Sequence, residues 1–160
     1  MHWADYTAQR LMERGKEQVS ASGITPSGEF HIGHLREILS AEMIHRACLD
    51  AGMSSKYIFI VDSMDPLRRV YDFLSPEYEE FIGCPLAFIP APEEDGSPGD
   101  GGVSYADYFL LPFLDALEQI GVKPEVVMNH ETYEKGLFAE YIDSSITNKD
   151  EIRGIIQKIS

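Results

Sequence analysis

The stretch SGITPSGEFHIGHLREIL, residues 22–39, decides the fold of this 160-residue protein. It holds three glycines, one proline and two histidines, and it passes directly into a helical pattern. The small residues of Gln18–Ser22 predict a strand before it. Apolar residues recur at helical spacing from Ile32, and Gly52 closes the run. The stretch therefore predicts a strand, a glycine-rich loop and a long helix.

A second strand follows the helix. SKYIFIVD, residues 55–62, is a continuous apolar run rich in β-branched and aromatic residues, which is typical of a strand buried on both faces. Strand, helix and strand form a βαβ unit, so the fold class predicted is α/β with a parallel sheet flanked by helices. Ligands bind beyond the carboxyl ends of such strands. The loop 23–34 and two carboxylates, Asp62 and Asp65, fall on that edge.

The rest of the chain predicts further helices and one more strand. The segment 89–102, rich in proline, glycine and acidic residues, predicts a surface loop and is the one plausible linker. The remaining predictions are a helix over 5–15 capped by Asp5, a short helix entered through Ser75 and Pro76, a helix over 104–121 that kinks or restarts at Pro112, a buried strand over 123–129, and helices over 131–146 and 148–159, the latter capped by Asn148.

Composition narrows the functions available. The formal net charge is −14, from 27 acidic and 13 basic residues. Such a field repels phosphate backbones, so a free-standing nucleic-acid binder is disfavoured, whereas a small nucleotide can still bind a local pocket. The two cysteines, Cys48 and Cys84, form no disulfide framework, which favours the reducing cytoplasm. No stretch approaches the roughly 20 apolar residues of a membrane span. The length fits a single domain over 1–160.

Two histidines mark the predicted site. His31 and His34 are three residues apart at a helix entry, so they share one face of the first turn. The free backbone N–H groups and the helix dipole there favour an anion. Imidazole donors beside the hydroxyls of Thr25 and Ser27 suit a triphosphate that gains charge in its transition state.

Small residues complete this pattern. Gly33 lies between the histidines, where a Cβ would fill the space that a purine or ribose needs. Pro26 and Gly28 fix the loop before it. The pattern predicts a turn that polarises phosphates and over which a nucleotide lies flat.

Other interpretations remain open at this point. A histidine at a helix start commonly acts as a cap, and a zinc site from His31, His34 and Asp62 is a further alternative that leaves the glycines unexplained. Asp62 and Asp65 could instead cap a helix after Pro66 and pair with Arg68 or Arg69. Other side chains are assigned structural roles: Tyr105, Tyr108 and Phe109 to the core, and Arg36 and Arg46 to solvent.

The motif HIGH, residues 31–34, resembles the signature of class I aminoacyl-tRNA synthetases. Longer segments resemble, in the same order, the amino-terminal half of class I lysyl-tRNA synthetase, and the similarity covers nearly the whole chain. These segments are HWADYTAQRL (2–11), ASGITPSGEFHIGHLREILSAEMIHRA (21–47), DSMDPLRRVY (62–71), PEYEEFIGCPLAFIPAP (76–92) and SYADYFLLPFLDALEQIG (104–121). The second signature of the class, KMSKS, is absent from the 160 residues.

The resemblance implies a Rossmann-type core that activates lysine with ATP, accompanied by Mg²⁺, and transfers it to tRNA(Lys). It implies catalytic roles for His31 and His34. No metal bound by the protein itself is predicted, because neither cysteine belongs to a Cys/His cluster. The ATP-binding residues would be Thr25, Pro26, Ser27, Gly28, His31, Ile32, Gly33 and His34. Those near lysine would be Gly23, Ile24, Thr25, Asp62 and Asp65.

The chain is therefore expected to be the amino-terminal part of a synthetase core, without the KMSKS half and the tRNA-binding domain. We expect it to be weak or inactive alone and to self-associate through an exposed face. Two alternatives are a small-molecule nucleotidyltransferase, which also uses an HxGH turn, and a non-catalytic nucleotide-binding fragment.

Overall fold

The structure is a computed structural model that describes residues 1–159. The chain divides into two compact units, Met1–Asn129 and His130–Ser160. The boundary between them lies far from the segment 89–102, so the interpretation of that segment as a linker is wrong. The single domain over 1–160 stays a prediction.

The first unit contains a parallel three-stranded sheet with the order β1-β2-β3. The strands are β1 (Glu17–Ile24), β2 (Ser54–Val61) and β3 (Glu125–Met128), and the helices are α1 (Trp3–Met12), α2 (Ile32–Asp50) and α3 (Tyr105–Gln119). Helix α2 is the crossover between β1 and β2. The predicted α/β class is confirmed, and the fold is consistent with a Rossmann-like core.

The core joins the sheet to α2 and α3. Buried residues from these elements form one cluster that includes Ile38, Phe59 and Leu110. Strand β2 buries alternate side chains, whereas Ile60 is 37% exposed. The prediction of burial on both faces is therefore wrong for β2. The prediction of β3 as a buried strand is also wrong, since Val126 is 37% exposed.

Capping explains where the helices begin. The N-cap of α1 is His2, and Asp5 lies one turn in, where its carboxylate accepts the His2 N–H at 3.0 Å. This is a capping box, so the prediction of Asp5 as N-cap is wrong. Helix α3 begins after Ser104 and runs through Pro112 without restarting. Helix α2 ends just before Gly52, whose φ of +78° confirms the predicted stop.

The connection from β2 to α3 folds back on itself. It contains 3₁₀ turns at Pro76–Phe81 and Leu86–Phe88. In the segment 89–102, β-bridges join Pro90 to Ser104 and Pro92 to Pro98. Gly96 has φ +83°, and a Cβ there would lie 2.6 Å from the Phe73 carbonyl oxygen. The loop therefore packs closely against the backbone of residues 73–75.

The second unit consists of α4 (Asn129–Glu134, beginning at the boundary), α5 (Ala139–Thr147) and α6 (Lys149–Ile159). The prediction of one helix over 131–146 is wrong, because Gly136 adopts φ +70° between α4 and α5. Asn148 precedes α6 as predicted. It is also the C-cap of α5, and its side-chain amide donates to the Ser144 carbonyl at 2.8 Å.

Candidate active site

The loop between β1 and α2 is held by the core. Pro26 is buried, and the Ser27 N–H donates to the Thr25 carbonyl at 2.9 Å. The hydroxyl of the fully buried Tyr105 donates to the Ser27 carbonyl at 2.8 Å. Helix α3 therefore fixes the shape of the loop that enters the histidine turn.

Each histidine of the turn accepts a backbone N–H. His31 is the N-cap of α2, and its Nδ1 accepts the Gly33 N–H at 3.0 Å. The Nδ1 of His34 accepts the His31 N–H at 3.0 Å. The ring centroids are 4.0 Å apart, so the two imidazoles lie side by side as predicted. The capping interpretation is correct for Nδ1 and leaves Nε2 available.

This arrangement sets the tautomer of both rings. A neutral imidazole whose Nδ1 accepts a hydrogen bond carries its proton on Nε2. Burial lowers the pKa of His34, the adjacent His31 lowers it further, and Glu37 acts in the opposite direction. The turn therefore offers two neutral Nε2–H donors, of which His31 is exposed.

The backbone N–H groups of His31, Gly33 and His34 already have acceptors within the turn, which corrects the prediction of free N–H groups at these positions. The Gly33 N–H is bound by His31, and the His34 N–H donates to the His31 carbonyl at 3.0 Å. A Cβ on Gly33 would lie 2.8 Å from His31 Cε1. The glycine therefore has a further role that the sequence did not reveal, because it leaves room for the capping ring.

A cleft of about 500 Å³ opens beside the turn, between β1 and the first half of α2. Its lining residues are Ala21, Ser22, Gly33, Arg36, Glu37, Ser40, Ala41 and Ile44. Gly33 belongs to the wall of this cleft, and a nucleotide lying over the glycine stays a prediction.

The aromatic residues of α3 divide between the core and a second cavity. Tyr105 and Phe109 are buried, as predicted. Tyr108 is 45% exposed and lines a cavity of about 670 Å³ together with Phe30 and Pro112, so its assignment to the core is wrong.

The Asp65 carboxylate has two partners within the protein. It accepts the Thr25 hydroxyl at 2.6 Å and lies 3.5 Å from the Arg68 guanidinium. The residues after Pro66 are not helical, so the helix-capping interpretation is wrong. Arg69 instead stacks over the ring of Tyr71 at 5.2 Å.

Asp62 lies at the end of β2, facing the end of β1. Its Oδ1 accepts the Asn129 amide at 3.4 Å, and its Oδ2 lies 3.6 Å from the position of a Cβ on Gly23. Burial raises the pKa of Asp62, the nearby Asp65 and Glu37 raise it further, and the Asn129 hydrogen bond lowers it. This strand end is therefore negative and favours a cation.

Sequence reasoning missed two residues of this region. Glu37 accepts the Gly23 N–H at 3.1 Å, and Asn129 contacts Asp62. Glu37 was detectable, because it follows Gly33 by four residues and so shares its helix face. Asn129 was not, since only the pairing of β3 with β2 brings it to the site.

The two arginines predicted to face solvent, Arg36 and Arg46, have different surroundings. Arg36 is exposed and lines the cleft. Arg46 is exposed but tied, with its Nε 2.6 Å from the buried Glu42 and an Nη donating to the Gly121 carbonyl at 2.7 Å.

Among residues 1–159, no group of three or more His, Cys, Asp or Glu side chains is arranged to hold a metal ion, so His31, His34 and Asp62 do not form the alternative zinc site.

Over the same residues, no helix has the length and apolar content to cross a membrane. Cys48 and Cys84 are both free thiols.

Comparison with known proteins decides the family. The family model described as tRNA synthetases class I (K) matches residues 1–160. The chain belongs to the class I (K) tRNA synthetases. It is 41% identical over 160 residues to lysine--tRNA ligase 1 of Methanosarcina acetivorans, covering 100% of the chain and 29% of that protein.

Two other lysine--tRNA ligases of this kind are similar. That of Archaeoglobus fulgidus is 42% identical, with 100% of the chain and 31% of the relative covered. That of Methanocaldococcus jannaschii is 42% identical, with 99% and 29% covered. The resemblance stated from the sequence is confirmed. The chain spans about three tenths of the length of these relatives.

Proposed function

We propose that this chain supplies the ATP- and lysine-binding part of a class I lysine--tRNA ligase. The observation that carries the proposal is the pair of neutral imidazoles at the start of α2, each with Nδ1 bound and Nε2 left as a donor. The cleft beside Gly33 supports it, because this space suits the adenosine portion of ATP. The family and its lysine--tRNA ligase members support the choice of amino acid.

The proposed reaction is adenylate formation. A carboxylate oxygen of lysine forms a bond to the α-phosphorus of ATP, the bond from that phosphorus to the β-bridging oxygen breaks, and pyrophosphate leaves. The Nε2–H groups of His31 and His34 donate to phosphate oxygens that gain charge in the transition state. Thr25, Pro26, Ser27, Gly28 and Ile32 complete the proposed ATP-binding set.

Lysine lies, in this proposal, at the end of β1. Asp62 is the better partner for an ammonium group, because Thr25 and Arg68 already occupy Asp65. Gly23 and Thr25 form the surrounding wall. Ile24 is 5% exposed and its side chain packs in the core, so only its backbone could take part.

The proposal extends to the remaining partners. Mg²⁺ would enter bound to the phosphates of ATP, and the lysyl group would pass to tRNA(Lys), which would be held mainly by regions outside these residues. The net charge of −14 supports this division, because it disfavours tRNA binding by the chain itself. The location proposed is the cytoplasm, in agreement with the free thiols.

Lysine-dependent exchange of pyrophosphate into ATP tests the proposal directly. We expect ATP binding by this chain and weak exchange that requires lysine. Exchange should fall by about 10²- to 10³-fold in His31→Ala and be retained in Tyr78→Phe, since Tyr78 is a buried residue outside the proposed site. Exchange that proceeds equally without lysine would contradict the proposal.

The alternatives give different results in the same experiments. Pyrophosphate release with small phosphorylated acceptors, and none with lysine, would indicate a small-molecule nucleotidyltransferase, which the relatives do not favour. ATP binding without any exchange would indicate a non-catalytic nucleotide-binding fragment.

Self-association is part of the proposal. Several apolar side chains of the second unit are more than half exposed, namely Leu137, Tyr141, Ile146, Ile155, Ile156 and Ile159. Exposed apolar surface of this kind favours association between copies. Light scattering is expected to give a mass that rises with protein concentration, and a constant mass of 18.0 kDa would contradict this.

A further inference from the structure

We propose that Glu37 is a positioning residue for the reaction above: its carboxylate binds the last outward-facing N–H of β1 and so keeps the cleft beside Gly33 open. The role of Glu37 in the reaction rests on the proposed function. The hydrogen bond itself can be tested without any assay of activity. The atoms concerned are Glu37 Oε1 and Gly23 N, 3.1 Å apart.

The sheet geometry fixes the direction of this N–H. The Asp62 N–H donates to the Ile24 carbonyl at 3.0 Å, so the backbone of Ile24 faces β2. Backbone groups of adjacent residues in a strand point to opposite sides, so the N–H of Gly23 points away from β2. Within residues 1–159, no strand pairs with β1 on that side.

Glu37 therefore occupies the position at which a neighbouring strand would bind Gly23. The unpaired N–H and C=O groups of a strand edge can bind another strand. Because the Glu37 carboxylate accepts the Gly23 N–H, this N–H cannot pair with another strand. The cleft begins at this point, since Glu37 and Gly33 lie on its wall together with Ser22. Glu37 thus fixes α2 against the end of β1 at the wall of the cleft proposed for the nucleotide.

The same carboxylate faces both predicted substrate positions. Its charge raises the pKa of His34 and the pKa of Asp62, and it also raises the pKa of the buried Tyr57. Loss of its charge would lower the pKa of His34 and of Asp62. Two variants separate the roles: Glu37→Gln keeps an oxygen that can accept the Gly23 N–H, whereas Glu37→Ala removes both the acceptor and the charge.

The test follows the Gly23 amide by ¹H–¹⁵N NMR of this chain as the pH is lowered. An amide bound to a carboxylate changes its shift as that carboxylate is protonated. We expect a titration of the Gly23 signal in the unaltered protein and in the matched control Asp62→Asn, and none in Glu37→Gln. A Gly23 titration that persists in Glu37→Gln, or that disappears in Asp62→Asn, would overturn the assignment.

A second measurement reports on function. In lysine-dependent pyrophosphate exchange, Glu37→Ala is expected to raise the KM for ATP by about tenfold, a loss typical of one hydrogen bond, while Glu37→Gln restores most of it. Equal KM values for all three proteins would overturn the positioning role. If exchange is absent from the unaltered protein, the proposed function fails, and the affinity for ATP measured by calorimetry replaces KM in the same comparison.

Discussion

His34 closes the turn at the start of α2 onto His31. Its Nδ1 accepts the His31 N–H at 3.0 Å, and the two ring centroids lie 4.0 Å apart. The helix cap and the proposed phosphate donors are therefore the same two side chains. Because Nδ1 serves the fold and Nε2 serves the substrate, substitutions can separate stability from activity.

His31→Ala is expected to affect both properties. Loss of the N-cap acceptor should lower the free energy of unfolding by about 1 kcal/mol. Loss of one donor to the transition state should lower the rate of pyrophosphate exchange by about 10²- to 10³-fold. Chemical denaturation and the exchange assay measure the two effects.

His31→Asn is the matched control. Asparagine is a good N-cap, so the stability should return to within a few tenths of a kcal/mol of the unaltered protein. Activity should stay low, because its short side chain does not reach the position of Nε2. Full activity in His31→Asn would show that His31 acts only as a cap.

The pKa of His34 predicts a dependence of stability on pH. Its value in the folded state lies below 6.5, so the folded protein binds fewer protons than the unfolded chain. This contribution to stability is present above pH 6.5 and is lost as the pH falls through the folded-state pKa. Denaturation from pH 8 to 5 should show a weaker dependence in His34→Gln, and an identical profile would contradict the prediction.

Asp62→Asn is expected to stabilise the protein at neutral pH. The folded-state pKa of Asp62 is raised above 3.8, so the ionised carboxylate destabilises the fold as the pH rises through that pKa. Thermal denaturation should show a higher midpoint at pH 7 and no difference below the ordinary pKa. The KM for lysine should rise by about 10- to 100-fold, the loss of a hydrogen bond to a charged group. A stabilised variant with unchanged KM would remove Asp62 from the lysine site.

Tyr105→Phe tests the support of the loop by α3. Removing the hydroxyl leaves the Ser27 carbonyl without its donor, which should cost about 1–3 kcal/mol of stability and weaken ATP binding. Tyr78→Phe is the matched control, because the Tyr78 hydroxyl donates to the Pro90 carbonyl, also at 2.8 Å. Calorimetric titration with ATP should distinguish them, and equal affinities would contradict the role of Tyr105.

The histidine turn could be located from the sequence because its signals are local. Gly33 and the spacing of His31 and His34 place the rings on one helix turn. The hydrogen bonds of the turn could not be predicted in the same way. The sequence suggested free backbone N–H groups, whereas the imidazoles themselves bind two of the turn's N–H groups.

Errors elsewhere arise where tertiary structure overrides a local pattern. Ile60 belongs to an apolar run that suggests burial on both faces, but its own face of the sheet is partly exposed. Asn129 reaches Asp62 only because β3 pairs with β2. Pro112 is a local breaker signal, yet α3 continues through it.

The most direct test follows the ring nitrogens of His31 and His34 by ¹⁵N NMR while ATP is added to the protein. Before addition, both rings should show the Nε2–H tautomer, and saturating ATP should shift both Nε2 signals while Nδ1 stays bound to the backbone. The central claim would be contradicted if ATP bound without moving either Nε2 signal, or if the rings carried their protons on Nδ1.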